Sequence, residues 1–255
     1  MKISAVIIAC NEEDKIADAI RSVDWADEVL LIDSESEDRT RDIAADLGAR
    51  VMTREWPGFA AQKQFGTNEA ENDWIFSLDA DERVSPELRA EIEDIRRRGP
   101  DAAGYRIPRL AYYMGRPIRH SGWYPDWQLR LFDRSAGQWK DLLIHESVQM
   151  APKAKIARLA GNILHYSSEG AAHHHKMIGE RYAPLAARQM YESGRRTGRL
   201  RIMFAAPTAF FSSYLLKAGF LDGVPGLFIA AFAAHHAFLK HALLWELQNR
   251  QTTTP

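Results

Sequence analysis

The sequence predicts an α/β fold with a mostly parallel sheet in its first hundred residues. Three observations support this: short apolar runs recur there, helical patterns separate them, and polar or acidic residues follow three of the runs. Short apolar runs that alternate with helices are typical of βαβ units, whose strands are buried on both faces. The length of 255 residues fits one such domain with a helical appendage.

Strands and helices are predicted in alternation along these hundred residues. The predicted strands are the apolar runs Ile3–Ala9, Glu28–Ile32, Arg50–Thr53 and Trp74–Leu78. The predicted helices are Glu12–Val23, Ser36–Leu47, Phe59–Ala70 and Pro86–Arg98. Asn11 and Ser85 are residue types that cap helix N-termini, and Gly48 is the type that ends a helix.

Side chains that could bind a ligand follow three of these strands. They are the groups Cys10-Asn11-Glu12, Asp33-Ser34 and Asp79-Ala80-Asp81. Parallel strands end at a common edge, where α/β folds bind their ligands. The two carboxylates of the third group could hold one divalent cation, since oxygen ligands suit Mg²⁺ or Mn²⁺. A solvated turn is the alternative. We expect Cys10 to be a small buried residue and not a nucleophile.

Charge changes along the chain. Residues 1–100 carry 13 basic and 24 acidic residues, a net charge of −11, whereas 101–167 and 168–255 each carry 10 basic and 5 acidic residues, a net charge of +5. The basic rear also holds the longest apolar runs, which favours an anionic partner or membrane surface over nucleic acid. A single cysteine and the absence of a signal-peptide cleavage pattern make a reducing cytoplasm the simplest compartment.

The C-terminal extension is predicted to be helical. A helix over Ala171–Ser193 precedes two apolar stretches, Ile202–Leu216 and Gly226–Leu247. Pro207 lies in the first stretch, and histidines and Lys240 interrupt the second, so neither offers the ~18–20 uninterrupted apolar residues of a spanning helix. We expect an in-plane hairpin at an anionic membrane, with a helical cap on the α/β core as the alternative. The arginines expected to face the head groups are Arg195, Arg196, Arg199 and Arg201.

Three motifs, in order, resemble the family 2 inverting glycosyltransferases of the GT-A fold. They are AVIIACNEEDKI (5–16), LLIDSESEDRT (30–40) and LDADE (78–82). Further segments resemble the branch that builds the bacterial lipopolysaccharide core, whose members transfer a sugar, typically glucose, to an inner-core heptose. These segments are WPGFAAQKQFG (56–66), GWYPDWQLRLF (122–132), IHE (144–146), LHYS (164–167) and KAGFLDGVPGL (217–227).

The resemblance implies a GT-A domain over 1–167 and a role for each matching position. Its nucleotide-binding half is 1–100 and its acceptor half 101–167, and the interfacial extension is 168–255. The implied nucleotide contacts are Asn11, Glu12, Asp33, Ser34, Lys63, Asp79, Ala80 and Arg130. For the metal, Mg²⁺ or Mn²⁺, the resemblance implies Asp81 as a ligand and Asp79 as a contact to the ribose or to a metal-bound water. The imidazole of His145 could complete this metal site, and a structural histidine is the alternative. Lys63 could instead be a solvated helix lysine, and Arg130 could simply pair with an acid.

An inverting transfer needs a base that deprotonates the acceptor hydroxyl as it attacks the anomeric carbon. Asp126 is our choice, and Glu146 is the alternative. The flat rings of Trp123, Tyr124 and Trp127 suit stacking on an acceptor sugar, and their bulk would desolvate Asp126 and raise its pKa.

The sequence therefore predicts a metal-dependent inverting hexosyltransferase, peripheral on the inner face of the cytoplasmic membrane. The expected donor is a nucleotide-sugar such as UDP-glucose, and the expected acceptor is lipid A–core. A polyprenyl-phosphate-linked acceptor is the first alternative, and a non-catalytic nucleotide or sugar scaffold is the second. A nucleotidylyltransferase is disfavoured because the sequence ACNEE after the first strand offers no glycine for a phosphate loop.

Overall fold

The computed structural model describes residues 1–140, 146–166 and 170–249. They form two compact units. The first contains the described residues of 1–110 and 126–166, and the second contains residues 111–125 and 170–249. The segment 111–125 thus interrupts the first unit in sequence.

The centre of the first unit is a parallel sheet. Its strands are β1 (Ile3–Ala9), β2 (Glu28–Asp33), β3 (Arg50–Thr53) and β4 (Trp74–Asp79), in the order β3-β2-β1-β4. All four lie within one residue of the predicted strands. Every residue of β1 is buried, as expected for a strand covered on both faces. Since β2, β1 and β4 are adjacent and parallel, their carboxyl ends meet at one edge, which confirms the predicted convergence.

Antiparallel strands extend this sheet. Strand β8 (Asp126–Asp133) pairs with β4, and β6 (Gly104–Tyr113) pairs with β8. The order continues through β12 (Ile163–His165) to β5 (Glu82–Val84), and β11 (Ile156–Arg158) runs parallel to β6. A separate hairpin consists of β9 (Gly137–Lys140) and β10 (Ser147–Met150).

Four helices accompany these strands, and two begin later than predicted. They are α1 (Ile16–Ser22), α2 (Thr40–Asp46), α3 (Phe59–Glu69) and α4 (Pro86–Arg98). Helix α4 has its predicted bounds, and the Ser85 hydroxyl accepts a hydrogen bond from the Leu88 amide at 3.2 Å. The predicted cap role of Asn11 is wrong. Asn11 has φ 55°, and its Oδ1 accepts from the Glu37 amide at 2.8 Å, so it joins two loops instead of starting α1.

The second unit is mainly helical. Its helices are α5 (Ala171–Met177), α6 (Ala183–Glu192), α7 (Arg199–Phe211) and α8 (Gly223–Asn249). A π-helical turn joins α5 to α6, another extends α7 over Ser212–Leu216, and a 3₁₀ turn, Gly219–Asp222, precedes α8. Strand β7 (Arg116–Pro117) pairs with the end of β6.

One helical segment, Gly219–Asn249, is long and apolar enough to cross a membrane by length and composition. The prediction that neither apolar stretch is long enough to span counted the histidines and Lys240 as interruptions of the second stretch. They do not offset the hydropathy of the segment as a whole.

Candidate active site

Asp33 lies at the edge of the sheet where the parallel strands end, and its carboxylate is used by the fold. Asp33 ends β2 and is fully buried. Its Oδ1 accepts from the Ser36 amide at 2.9 Å, its Oδ2 accepts from the Ser36 hydroxyl, and Arg41 lies 3.7 Å away. The carboxylate of Asp33 therefore braces the loop after β2.

The loop after β1 is held against the same loop. The Asn11 amide donates to the Ser36 hydroxyl at 2.9 Å, and the Glu12 amide donates to the Thr40 hydroxyl at 2.8 Å. The Glu12 carboxylate pairs with Lys15 of the same loop at 3.0 Å. Hydrogen bonds therefore join the two loops into one rim at the end of the strands.

Cys10 is exposed at the end of β1, so the expectation that it is buried is wrong. Its Sγ donates to the Ser34 carbonyl at 3.4 Å. Partial burial and the nearby carboxylates of Asp33 and Asp38 raise the pKa of the thiol. A raised pKa leaves little thiolate at neutral pH, which agrees with a cysteine that is not a nucleophile.

An ion network with buried cations begins at Asp79, whose side chain is 23% exposed. One oxygen of Asp79 lies 2.9 Å from Lys63 Nζ, and the other lies 2.9 Å from Arg130 Nη2. Lys63 is 1% exposed, and its Nζ also lies 3.0 Å from Glu146 Oε1. The alternative of a solvated helix lysine is therefore wrong for Lys63.

These ions are held in their charged forms. Burial alone would raise the pKa of the Asp79 carboxyl, but Arg130 and Lys63 outweigh it and hold that pKa well below its usual range. Burial alone would lower the pKa of the Arg130 guanidinium, but Asp79 and Glu82 outweigh burial and raise that pKa. The pair stays ionised across the physiological range.

The network continues to Asp126 through two residues that the sequence analysis did not single out. Glu82 is fully buried and lies 2.8 Å from Arg130 and 3.3 Å from Arg109. Arg109 in turn binds Asp126 Oδ2 through Nε at 2.9 Å and Nη2 at 2.7 Å. Gln128 donates to the other oxygen of Asp126 at 2.8 Å. We call the charged residues Lys63, Asp79, Glu82, Arg109, Asp126, Arg130 and Glu146 the ion network.

Arg130 has hydrogen-bonding capacity that the described protein leaves unused. Its Nε and Nη1 atoms are buried and have no hydrogen-bond partner within 1–140, 146–166 and 170–249. A buried charged donor without a partner is costly to keep, and an anionic group would satisfy it.

Asp81 lies beside a histidine from the far end of the sheet. His165, the last residue of β12, places Nε2 3.3 Å from Asp81 Oδ2, and the Tyr166 amide donates to the Asp81 carbonyl at 2.8 Å. A carboxylate and an imidazole are suitable ligands for a divalent metal. Within the residues that the structure describes, no group of three or more His, Cys, Asp or Glu side chains is placed to hold a metal ion. The predicted ligand His145 lies outside the described residues.

The environment expected for Asp126 differs from the one found. Its side chain keeps 37% of its surface exposed and is paired with Arg109, so aromatic bulk does not desolvate it. One face of Trp127 carries the Arg158 guanidinium, 4.8 Å from the ring centre. Trp123 and Tyr124 belong to the second unit, where Trp123 packs on Tyr113 at 5.7 Å between ring centres.

Sequence reasoning missed three residues of this site: Glu82, Arg109 and His165. Glu82 directly follows Asp81 within LDADE, and His165 lies in LHYS, so both stand inside segments that carried the family resemblance. Arg109 has no such signal. It reaches the site because the antiparallel register sets it opposite Asp126.

The chain resembles several known proteins. The model of glycosyl transferase family 2 matches residues 4–151. The lipopolysaccharide core biosynthesis glycosyltransferase LpsC of Rhizobium meliloti (strain 1021) is 30% identical over 254 residues, which cover 96% of this chain and 93% of LpsC. An uncharacterized glycosyltransferase of Rickettsia bellii (strain RML369-C) is 32% identical over 264 residues, covering 96% of this chain and 87% of that protein.

A solved structure is similar over a smaller part. Glucosyl-3-phosphoglycerate synthase from Mycobacterium tuberculosis, in complex with Mn²⁺, UDP and glucosyl-3-phosphoglycerate, is 26% identical, covers 45% of this chain and 44% of its own, and has a TM-score of 0.36. A likeness of this extent does not bear on the donor or the metal.

Proposed function

Because the chain belongs to glycosyl transferase family 2, we propose that it is a metal-dependent inverting transferase that moves a hexose from a nucleotide-diphosphate sugar to an inner-core sugar of lipopolysaccharide. The observation that carries this proposal is Arg130. It is a buried guanidinium with two unpartnered nitrogens at the edge where the strands end, and it fits a diphosphate. The similarity to LpsC over nearly the whole chain supports the choice of acceptor.

Asp126 is the proposed base. It is the most exposed carboxylate of the ion network, at 37%, so an acceptor hydroxyl can reach it. Arg109 and Gln128 fix the orientation of its two oxygens. Glu146 is held by the buried Lys63, and we assign it to positioning that cation.

Asp81 and His165 are the proposed metal ligands, and the metal is Mg²⁺ or Mn²⁺. Asp79 is a poor ligand in this arrangement because each of its oxygens already contacts a cation. When bound, the ion would neutralise charge that develops on the leaving diphosphate. His145 lies outside the described residues, and its role as a further ligand stays a prediction.

The chain's own residues divide the reaction as follows. Asp126 accepts the proton of the acceptor hydroxyl while that oxygen attacks the anomeric carbon. Arg130 and Lys63 offer positive charge to the diphosphate as the bond to the sugar breaks. Asp79 and Glu82 hold Arg130 in place, and the rim formed by the loops after β1 and β2 receives the nucleoside.

Calorimetric titration of the full chain with UDP, ADP, GDP and CMP, each with and without Mn²⁺, tests this proposal. UDP binding that requires the metal supports a UDP-sugar donor. Asp81→Asn and His165→Asn should each weaken Mn²⁺-dependent binding by roughly 10–100-fold. His173→Asn, which changes an exposed histidine of α5, serves as the control. Failure of every nucleotide to bind would overturn the transferase proposal.

Incubation with radiolabelled donor tests the acceptor. Transfer to purified lipid A–core carrying inner-core heptose supports the proposal. Transfer only to a polyprenyl-phosphate-linked sugar would retain the chemistry and replace the acceptor.

A further inference from the structure

The second unit exposes an apolar stripe along α7. On one face of α7 and its π-helical turn, five large apolar side chains and one proline are exposed. Among them, Leu200 is 70% exposed and Met203 is 59% exposed. Together they extend roughly 25 Å, at 1.5 Å per residue. Monomeric proteins seldom leave so continuous an apolar surface in water. The stripe consists of Leu200, Met203, Phe204, Pro207, Phe211 and Leu215.

The turn between α7 and α8 continues this surface. Four large apolar residues there are 49–84% exposed, namely Leu216, Phe220, Leu221 and Val224. We refer to the α7 stripe and these four residues together as the apolar surface. Single exposed leucines are common on protein surfaces, but a continuous apolar surface of this size is not.

Basic residues lie at both ends of the apolar surface. At the start of α7 are the exposed Arg195, Arg196, Arg199 and Arg201. At the turn, Lys217 lies against Gly122, and Arg116 lies beside Gly223. The only acid in 199–227 is Asp222, and its side chain is 5% exposed.

Asp222 fastens the segment 111–125 to this turn. Its carboxylate accepts from the amides of Arg119 at 3.2 Å and His120 at 2.9 Å and lies 2.9 Å from His120 Nδ1. The Ser121 amide donates to the Lys217 carbonyl at 2.9 Å. Farther along, Tyr113 and Ile118 pack on Ile229 of α8. The segment that carries Arg116, Arg119 and Trp123 is thus fixed to the turn.

We propose that the apolar surface lies flat in an anionic bilayer, and that Arg116 and Arg119 of segment 111–125 bind lipid head groups beside it. Exposed apolar groups with cations at both ends, and no exposed acid between them, complement an anionic lipid surface. A second copy of this chain fits less well, because a two-fold contact would set the same positive clusters against each other.

This inference deepens the proposed function and rests on it, since the proposed acceptor, lipid A–core, is itself held in a membrane. It differs from the general expectation of an interfacial hairpin in naming segment 111–125 as part of the contact.

Fluorescence of single-cysteine variants tests the contact. In a Cys10→Ser background, an environment-sensitive dye is placed at Met114, Phe204, Leu216 or, as a control in the first unit, Leu47. With vesicles of phosphatidylglycerol and phosphatidylcholine, we expect blue shifts and similar quenching depths at 114, 204 and 216, and none at 47. A dye at 114 that stays in water, or at 216 that lies far deeper than at 204, would overturn the proposal.

Charge variants provide the second arm. Arg116→Gln with Arg119→Gln should weaken binding to the anionic vesicles by about fivefold per arginine. Arg97→Gln with Arg98→Gln makes the same change in net charge on exposed residues of α4 and should leave binding within twofold. Equal losses in both double variants would reduce the effect to net charge and overturn the assignment.

Two further readouts separate the explanations. Blue shifts that need no vesicles and grow with protein concentration, together with a dimer in ultracentrifugation, would assign the surface to a second copy and overturn the proposal. UDP titration of the same variants distinguishes the two proposals, because vesicle binding without UDP binding contradicts only the transferase assignment.

Discussion

The two units place their charged and apolar groups in opposite ways. In the first unit, cations and carboxylates meet inside the protein, where Lys63 is 1% and Glu82 0% exposed. In the second unit, the basic groups flank large apolar side chains at the surface, and Leu216 is 84% exposed.

The difference indicates two kinds of ligand. Buried ions cost several kcal/mol of desolvation each, so a network of them is weak evidence for stability and good evidence for a site that handles charge. Exposed apolar groups with cations at both ends suit an extended surface instead of a small molecule. If the two units bind different ligands in this way, changes in one unit should leave the ligand of the other unaffected.

Asp126→Asn gives the largest expected effect. An amide cannot accept the proton of the acceptor hydroxyl, so turnover should fall roughly 10²–10⁴-fold. Metal-dependent UDP affinity should stay within twofold, since the change removes one charge at the exposed end of the ion network. The measurement is a kinetic assay with labelled donor beside calorimetry, and normal turnover would move the base to another carboxylate such as Glu146.

Asp79→Ala should destabilise the fold strongly. Removal of this carboxylate leaves Lys63 and Arg130 buried with one acidic partner fewer each, and breaking a buried pair costs roughly 3–5 kcal/mol. Denaturant unfolding followed by tryptophan fluorescence measures it. Asp73→Ala removes a carboxylate that is 78% exposed and should cost less than about 1 kcal/mol. Equal costs in the two variants would contradict a buried network.

His165→Asn sharpens the comparison within the first unit. Loss of the imidazole beside Asp81 should weaken Mn²⁺-dependent nucleotide binding by roughly 10–100-fold, while the free energy of unfolding without metal changes little. Titration of Mn²⁺ at fixed UDP, beside the His173→Asn control, gives the shift. An unchanged Mn²⁺ midpoint would remove His165 from the metal site.

Asp222→Ala is the corresponding test of the second unit. It leaves the Arg119 and His120 amides without their acceptor, which should cost roughly 1–3 kcal/mol and increase hydrogen exchange at those two amides. Glu192→Ala, an exposed acid in an i,i+4 pair on α6, is the control and should change neither. Unaltered exchange at residues 119 and 120 would mean that other contacts hold segment 111–125.

The chain is a glycosyltransferase with a GT-A-like fold, and the sequence predicted both because the relevant signals are local or lie in its motifs. The apolar runs of β1 to β4 gave strand bounds within one residue, and the capping serine of α4 gave that helix its correct start. The positions of Asp33 and Asp79 at one sheet edge followed from parallel order alone.

What could not be predicted depends on contacts between distant segments. Asn11 is a good cap by residue type, but its partner is the Glu37 amide, 26 positions away. The burial of Lys63 depends on Asp79 and Glu146, and the role of Arg109 depends on the register of β6 against β8. Helical and strand periodicities carry no information on such pairings, so the cap role of Asn11 was wrong, the burial of Lys63 was left open and Arg109 was missed.

Acid titration of stability gives the smallest expected effect and tests the first unit alone. The pKa of Asp79 is lowered in the folded protein, so its contribution to stability is complete above the unfolded value of ~3.9 and is lost as the pH falls below it. A single carboxyl with a lowered pKa changes the free energy of unfolding by at most about 1.4 kcal/mol per pH unit in that range. Between pH 4 and 3, unfolding free energy should therefore fall less steeply in Asp79→Asn than in the wild type, whereas Asp73→Asn should keep the wild-type slope. Identical slopes in all three proteins would mean that Asp79 gains nothing from Lys63 and Arg130 on folding, and the contrast between the two units would lose its main support.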